Sequence, residues 1–367
     1  MADKSPLGIY LHWGFCASKC PYCDFVSQKL PSDLDFSLWL TEYKKALDFF
    51  VPFTANHEVT SVFFGGGTPS LLPPSFVGEI LDYIRKRFNF SSVTEITLEA
   101  NPSSSESKKF ADLKSAGINR LSLGVQSFSD ASLKFLGRIH SREEAITALK
   151  NALNIFTNVS FDLIYALPNQ EISQWRQELS EALSYKSPHL SLYQLTIEPE
   201  CAFARQNISL PDEDTAAALY ETAGEMTEKA GIPAYEVSNY ARPGYESVHN
   251  LAYWRYHDYL GIGPSAHGRL SINGQKHALC QHSDPFFWLK ATDKNAEDII
   301  LTPAEVIEEV SLMGLRTTEG ISEKLLPSKH LQTLLSDGLL MRKGNRICAT
   351  KNGILLLNKV LSRLFAD

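Results

Sequence analysis

Seven short runs along the chain are dense in β-branched and aromatic residues: GIYLHW (8–13), VTSVFFG (59–65), EITLEA (95–100), RLSLGV (120–125), VSFDLIYAL (159–167), HLSLYQLTI (189–197) and AYEVSN (234–239). Between them lie longer stretches such as DFSLWLTEYKKALDFF and SFVGEILDYIRKRF, whose apolar residues fall three and four apart, the spacing of one helix face. Most of the short runs are nearly continuous in apolar residues, as strands covered on both faces are. Strand and helix alternating about six times predicts a parallel α/β sheet. A closed eight-fold barrel needs two more units, so the expected fold class is α/β, an open, partial (βα)6 barrel of the TIM-like kind.

From about residue 300 the pattern changes. TPAEVIEEVSLMGLRTTEGI and the terminal GLLMRKGNRICATKNGILLLNKVLSRLF read as small helices and a hairpin around Gly344-Asn345, a compact winged-helix-like appendage. The expected organisation is a barrel with an N-terminal loop over 1–240, a connecting region over 241–298 and the appendage over 299–367. At the level of fold alone, the appendage reads as a packing or dimerisation module without chemistry.

Composition narrows the classes. Apolar content of 44% and charged content of 21% are those of an ordinary folded protein, and a net charge of -7 excludes nucleic-acid binding by bulk electrostatics. The start, MADKSPLGIYLHW, carries no long apolar stretch, and no run of about 18 apolar residues follows, so a cytoplasmic protein is expected. No amphipathic basic helix demands a membrane, which leaves peripheral contact as the only expected kind.

The chemistry concentrates in GFCASKCPYCDF, where Cys16, Cys20 and Cys23 fall in a C-x3-C-x2-C array just past the first strand. Cys201, Cys280 and Cys348 lie far apart, as in a reducing compartment. Structural zinc wants four protein ligands, so His12 or a distant side chain would have to join. A redox dithiol would use Cys20 and Cys23 and leave Cys16 surplus. A four-iron cluster with one iron free of protein ligands fits all three thiols. The spacing favours the cluster and leaves the others open. Polar or glycine-rich residues also recur at successive strand ends, where α/β folds place their chemistry: GGGTP (65–69), Glu99, Gln126 and Asp162. Arg138 lies at a helix end, suited to fork onto a carboxylate.

The cysteine array, with Tyr22 before its third member, resembles the signature loop of radical S-adenosylmethionine (SAM) enzymes. That resemblance implies a [4Fe-4S] cluster on Cys16, Cys20 and Cys23, whose fourth iron chelates the amino and carboxylate groups of SAM. An electron from a reductant then cleaves SAM to methionine and a 5′-deoxyadenosyl radical. RLSLGVQSF, LGRIHS, DLIYALPNQ and YQLTIEPE extend the likeness over roughly residues 8–365, to the coproporphyrinogen-oxidase-like branch and its HemW-type group of heme chaperones. The resemblance implies that Tyr10 lies beside the cofactor, that Gly66, Gly67 and Thr68 contact its amino-acid part, and that Glu99, Gln126, Arg138 and Asp162 complete the pocket. It further implies heme as cargo, heme-accepting partners such as cytochromes, and a homodimer.

The alternative within that branch is the oxygen-independent coproporphyrinogen III oxidase, in which the radical abstracts hydrogen from a propionate side chain. Three features separate the two. The oxidase has a further cysteine where this chain has Phe25, and it carries a long N-terminal arm where only residues 1–7 precede the first strand run here. The third is H-N-x-x-Y-W, His249 to Trp254, which matches the motif associated with heme binding in the chaperones. His249 is the expected heme ligand, with Tyr253 and Trp254 offering flat surface to a porphyrin, and His257 and His267 as second choices. Departures from the family pattern are Gly14 in place of proline, and Ala166 and Ser265 in place of glycine.

Overall fold

The structure, a computed structural model, describes residues 4–326 and 328–366. In strand β1 (Ser5–Trp13), Leu7, Ile9, Leu11 and Trp13 are all buried and alternate with Gly8, Tyr10 and His12. Successive residues of a strand point to opposite faces, so β1 has one oily face and one of mixed chemistry. The same division runs through β2 (His57–Gly66), β3 (Phe90–Ala100), β4 (Arg120–Gln126), β5 (Asn158–Tyr165) and β6 (His189–Gln194). Phe64, Leu98, Leu123, Phe161 and Leu192 join one core with the helices outside. Ser61, Glu99, Ser122, Asp162 and Ser191 occupy the opposite, inner face. The strands are covered on both sides, as their apolar density predicts, but the inner cover is polar.

Helices α1 (Phe36–Phe50), α2 (Pro74–Arg87) and α3 (Arg142–Ile155) form the outer layer through Trp39, Leu47, Phe76, Ile80, Ala148 and Leu149. Asp35 caps α1, and Ser141 with Glu144 closes a capping box on α3, which fixes where each crossover turns. Helices α4 (Ile172–Ser184) and α5 (Glu213–Lys229) complete the layer.

The sheet continues past the six parallel strands. Its further members are β7 (Asn239–Ala241), β8 (Asp258–Ile262), β9 (His267–Ile272), β10 (Gln275–Gln281) and β11 (Asn295–Ile300). The order is β11-β10-β9-β8-β1-β2-β3-β4-β5-β6-β7, with β8 parallel to β1, and β7, β9, β10 and β11 antiparallel to their neighbours. Two expectations change here. AYEVSN does not form a seventh parallel strand: Ala234 and Glu236 make isolated bridges, and only residue 239 of the run enters the short antiparallel β7. The 241–298 segment is more than a connector, since Leu260, Ile262, Leu270, Leu279 and Trp288 belong to the barrel core. Buried Asp258 pins this extension by accepting from His57 Nε2 at 2.8 Å, Lys276 Nζ at 2.5 Å and Ser271 N at 3.0 Å.

Helix α6 (Val248–Trp254) lies across the inner face, contacting β1, β2 and β8. Beyond α7 (Pro303–Gly314) comes the appendage, with its own core of Leu315, Ile321, Leu334, Ile347 and Val360. Its sheet, β12 (Ile321–Ser322), β13 (Leu340–Lys343) and β14 (Arg346–Ala349), contains the hairpin expected at Gly344-Asn345.

Ala166 and Ser265, both standing where glycine is usual, adopt φ 59° and 62°. The left-handed region costs an L-residue about 1–2 kcal/mol, while glycine adds about 0.5–1 kcal/mol of unfolded-state entropy to be lost. Ala166→Gly and Ser265→Gly are each expected to raise stability by about 0.5–1 kcal/mol in denaturant titrations.

Candidate functional site

The loop after β1 is anchored at both ends. Gln28 N donates to Gly14 O and Leu30 N to Cys16 O, each at 2.9 Å, so the chain leaves and re-enters beside itself with the three cysteines between. Cys23 N donates to Cys20 O at 3.1 Å and closes a tight turn at C-x-x-C. His12 ties the return: its Nε2 lies 2.9 Å from Val26 O and its Nδ1 3.0 Å from the Tyr10 hydroxyl. A carbonyl only accepts, so Nε2 carries the proton and Nδ1 accepts from Tyr10. With both nitrogens engaged, His12 is not the fourth ligand that zinc would need.

The end of β2 seats the loop. Gly67 N donates to Trp13 O at 2.7 Å and Thr68 N to Phe15 O at 2.8 Å. A Cβ on Gly65 would come within 2.7 Å of the Tyr10 ring, on Gly66 within 2.7 Å of the His12 ring, and on Gly67 within 2.4 Å of Phe15 O. The glycine triplet is thus demanded by how closely β2 meets β1 and its loop.

These elements enclose a cavity of about 360 Å³ at the C-terminal ends of the strands. Cys16, Cys20 and Cys23 line it together with Tyr22. Gly66, Gly67, Thr68 and Glu99 line a second wall, and Gln126, Arg138 and Asp162 a third. One expected neighbour of the cofactor and the expected heme ligand lie outside this lining. Tyr10 is outside the lining, packed 6.1 Å from Phe63 and 6.3 Å from His249 between ring centroids. His249 is 1% exposed, with Nδ1 2.8 Å from Ser61 Oγ and Nε2 2.7 Å from the Tyr253 hydroxyl, so it is not presented as an open ligand.

Asn101 and Tyr193 are lining residues that the sequence reading did not single out. Asn101 links two that it did: its Nδ2 donates to Thr68 Oγ1 at 3.0 Å, and its Oδ1 accepts from Arg138 Nη2 at 2.6 Å. Arg138 Nη1 in turn donates to Cys20 Sγ at 3.4 Å, and its Nε is buried without a partner. The LEANP run that supplied Glu99 holds this asparagine two residues on.

Burial and the neighbouring Asp162 charge raise Glu99 to about 8; burial raises Asp162 to about 6, eased by Ser191 and Arg138. At neutral pH the two carboxyls therefore hold about one proton between them, and an arriving cation would displace it. Burial likewise pushes the Cys23 thiol up to about 11 and raises Cys16. A bound cationic centre is what would hold them as thiolates. Among the described residues no three Cys, His, Asp or Glu side chains are gathered to metal-ligand spacing. Three thiols on one cavity, with a guanidinium against one of them, nonetheless have the donor chemistry of an iron–sulfur cluster.

Residues 10–182 match the radical SAM superfamily. The chain belongs to that superfamily and, within it, to the group that contains the heme chaperone HemW. It is 36% identical to the heme chaperone HemW of Escherichia coli K12, with all of both chains covered. The zebrafish radical S-adenosyl methionine domain-containing protein 1, mitochondrial, is 35% identical over 100% of this chain and 89% of its own. Among solved structures, E. coli coproporphyrinogen III oxidase HemN superposes with a TM-score of 0.82 at 22% identity, covering 99% of this chain and 90% of that one, a likeness of fold. No helix among the described residues is long and apolar enough to cross a membrane.

Proposed function

We propose that the protein is a cytoplasmic heme chaperone of the HemW type, holding a [4Fe-4S] cluster on Cys16, Cys20 and Cys23, binding SAM in the cavity beside it, and delivering heme to hemoproteins such as cytochromes. The observation that carries this reading is the end-to-end likeness to HemW joined to a cavity lined by three thiols and by the carboxyls of Glu99 and Asp162. When bound, such a cluster supplies an iron for chelation and an electron. The chain's own residues do the rest. Arg138 faces the sulfur of Cys20 and Asn101 relays its position to Thr68, while Glu99 and Asp162 offer acceptors to an ammonium or sulfonium. The oxidase reading draws on the HemN fold; Phe25, at the cavity wall where the oxidase carries a cysteine, argues against it.

The test is anaerobic reconstitution followed by separate assays with heme and with coproporphyrinogen III. Stoichiometric heme binding without porphyrinogen turnover is expected, and efficient formation of protoporphyrinogen IX would replace this reading with the oxidase. A second measurement follows from the raised carboxyls. A cationic ligand needs them ionised, so SAM affinity is expected to rise with pH up to about 8 and then level, weakening by up to about tenfold per unit below. Equilibrium dialysis from pH 6 to 9 reads this directly, and Glu99→Gln should flatten the upper part of the curve.

A further inference from the structure

Past the end of β4 the chain makes a hook. At Gln126 the backbone enters the left-handed region, φ 69°, and the pairing with β5 slips: Leu123 faces Phe161 and Gln126 faces Leu163, three steps against two. That conformation is an outlier for a side chain of this size, and such residues persist only where their surroundings fix them from several sides. The chain then runs through a short helix, Asp130–Phe135, and comes back to Val125 at His140. Gln126 and Arg138, both on the cavity wall, thus ride on one closed loop. Their side chains converge on Gly124. A Cβ there would lie 2.8 Å from Gln126 Nε2 and 3.6 Å from Arg138 Nη2, and Arg138 Nη2 donates to Gly124 O at 3.0 Å.

Two groups hold the hook, one on each side of Gln126. His140, 4% exposed, has Nε2 3.1 Å from Val125 O. A carbonyl only accepts, so Nε2 carries the proton and donates. Nδ1 is then a bare acceptor, buried without a partner among the described residues. Burial, and after it the nearby Arg138 charge, lower the pKa to about 4, so the ring stays neutral with one proton to give. An apolar side chain would fill the same space and strand no acceptor, so packing alone does not account for the imidazole. From the other side, half-buried Glu178 of α4 accepts from Phe128 N at 2.7 Å and from the Ser127 hydroxyl.

We infer that His140 and Glu178 are positioning residues of the cofactor site, clasping the backbone on either side of Gln126 so that its amide is held against the cavity. Neither side chain lines the cavity itself. This role rests on the reading of the cavity as a SAM site and deepens it, since binding would then draw on a backbone conformation that the loop does not keep unaided.

The experiment is a double-mutant cycle in SAM affinity, measured by equilibrium dialysis on full-length, anaerobically reconstituted proteins compared at equal iron content. His140→Leu and Glu178→Ala are each expected to weaken SAM binding about tenfold. His140→Gln, whose Nε2 keeps a donor at similar reach, and Glu178→Gln, which keeps the acceptor, should recover most of the loss. In Gln126→Ala, itself a weaker binder, adding either clasp substitution should change affinity by less than about twofold. If wild type binds no SAM, the reading of the cavity fails and the clasp with it. If wild type binds and a folded clasp variant matches it, the clasp is overturned and the cavity keeps its ligand. Equal affinity of Gln126→Ala and wild type overturns it too. So does a clasp substitution that weakens Gln126→Ala as much as it weakens wild type, since that pattern marks a purely structural role. Should His140→Leu fail to fold, the Glu178 arm of the cycle decides by the same outcomes.

Discussion

Serine at position 20 is expected to abolish the iron–sulfur chromophore while leaving the fold intact. Wild-type protein, reconstituted without oxygen, should carry about four irons per chain; Cys20→Ser should retain well under one. Serine lacks the soft thiolate that such clusters require, and only two of the three ligands would remain. The fold should survive because Cys20 is partly exposed and outside the apolar clusters, its sulfur accepting from Arg138 at the cavity wall. Stability should therefore change by less than about 0.5 kcal/mol. Cys201→Ser gives the contrast. That thiol is buried with Leu195 and Phe203 in an apolar cluster, so its replacement should cost about 1–2 kcal/mol and leave the iron content unchanged. Full iron in Cys20→Ser would show that the ligand set is wrong.

Gly67→Ala carries the second largest expected effect. Its new methyl would lie 2.4 Å from Phe15 O and 2.6 Å from Phe15 C, and both are backbone atoms that no rotamer change can move. Relief requires β2 and the loop to part, which stretches the bonds from Gly67 N to Trp13 O and from Thr68 N to Phe15 O. Phe15 cannot yield freely, because it packs edge-on against Trp13 and Trp39 with centroids 5.2 Å away in each case. A loss of about 2–4 kcal/mol is expected, with Tm lower by roughly 3–5 °C and iron retained poorly. Gly224→Ala, in the interior of α5 with nothing within 4 Å of the added Cβ, should instead raise stability by up to about 1 kcal/mol. Equal melting of Gly67→Ala and wild type would refute the close approach.

The parts of the fold that alternate cleanly in sequence were legible in it. Six strand runs coincide with β1 to β6, because each carries an oily outer face and is followed by a helix with its own period. AYEVSN misled because β-rich composition says nothing of direction: Tyr235 and Glu236 turn to buried polar partners, and only a three-residue antiparallel edge forms. Strands β8 to β11 escaped notice because His, Tyr, Lys and Asp interrupt their apolar residues. Of the candidate site, the cysteines, Gly66, Gly67, Glu99, Gln126 and Asp162 line one cavity because they lie on the strands' inner face or in the turns that follow them, a rule that one sequence can express, and Arg138 joins them from beyond a helix end. His249 could not be judged that way. Its state is set by Ser61, 188 positions away in the chain, and spacing does not register such a partner. The positive φ angles at Ala166 and Ser265 had a visible signal, in that glycine is usual at both positions.

The pairing of β1 with β8 bears on how the molecule is born. Leu7 to Leu11 find their partners on one side at Asp258 to Ile262, roughly 250 residues later in synthesis. Until that part of the chain leaves the ribosome, the strand feeding the cysteine loop has an unpaired edge, and α6 is absent from the lumen. A nascent chain halted before the eighth strand would therefore expose its three loop thiols without the barrel that shelters them.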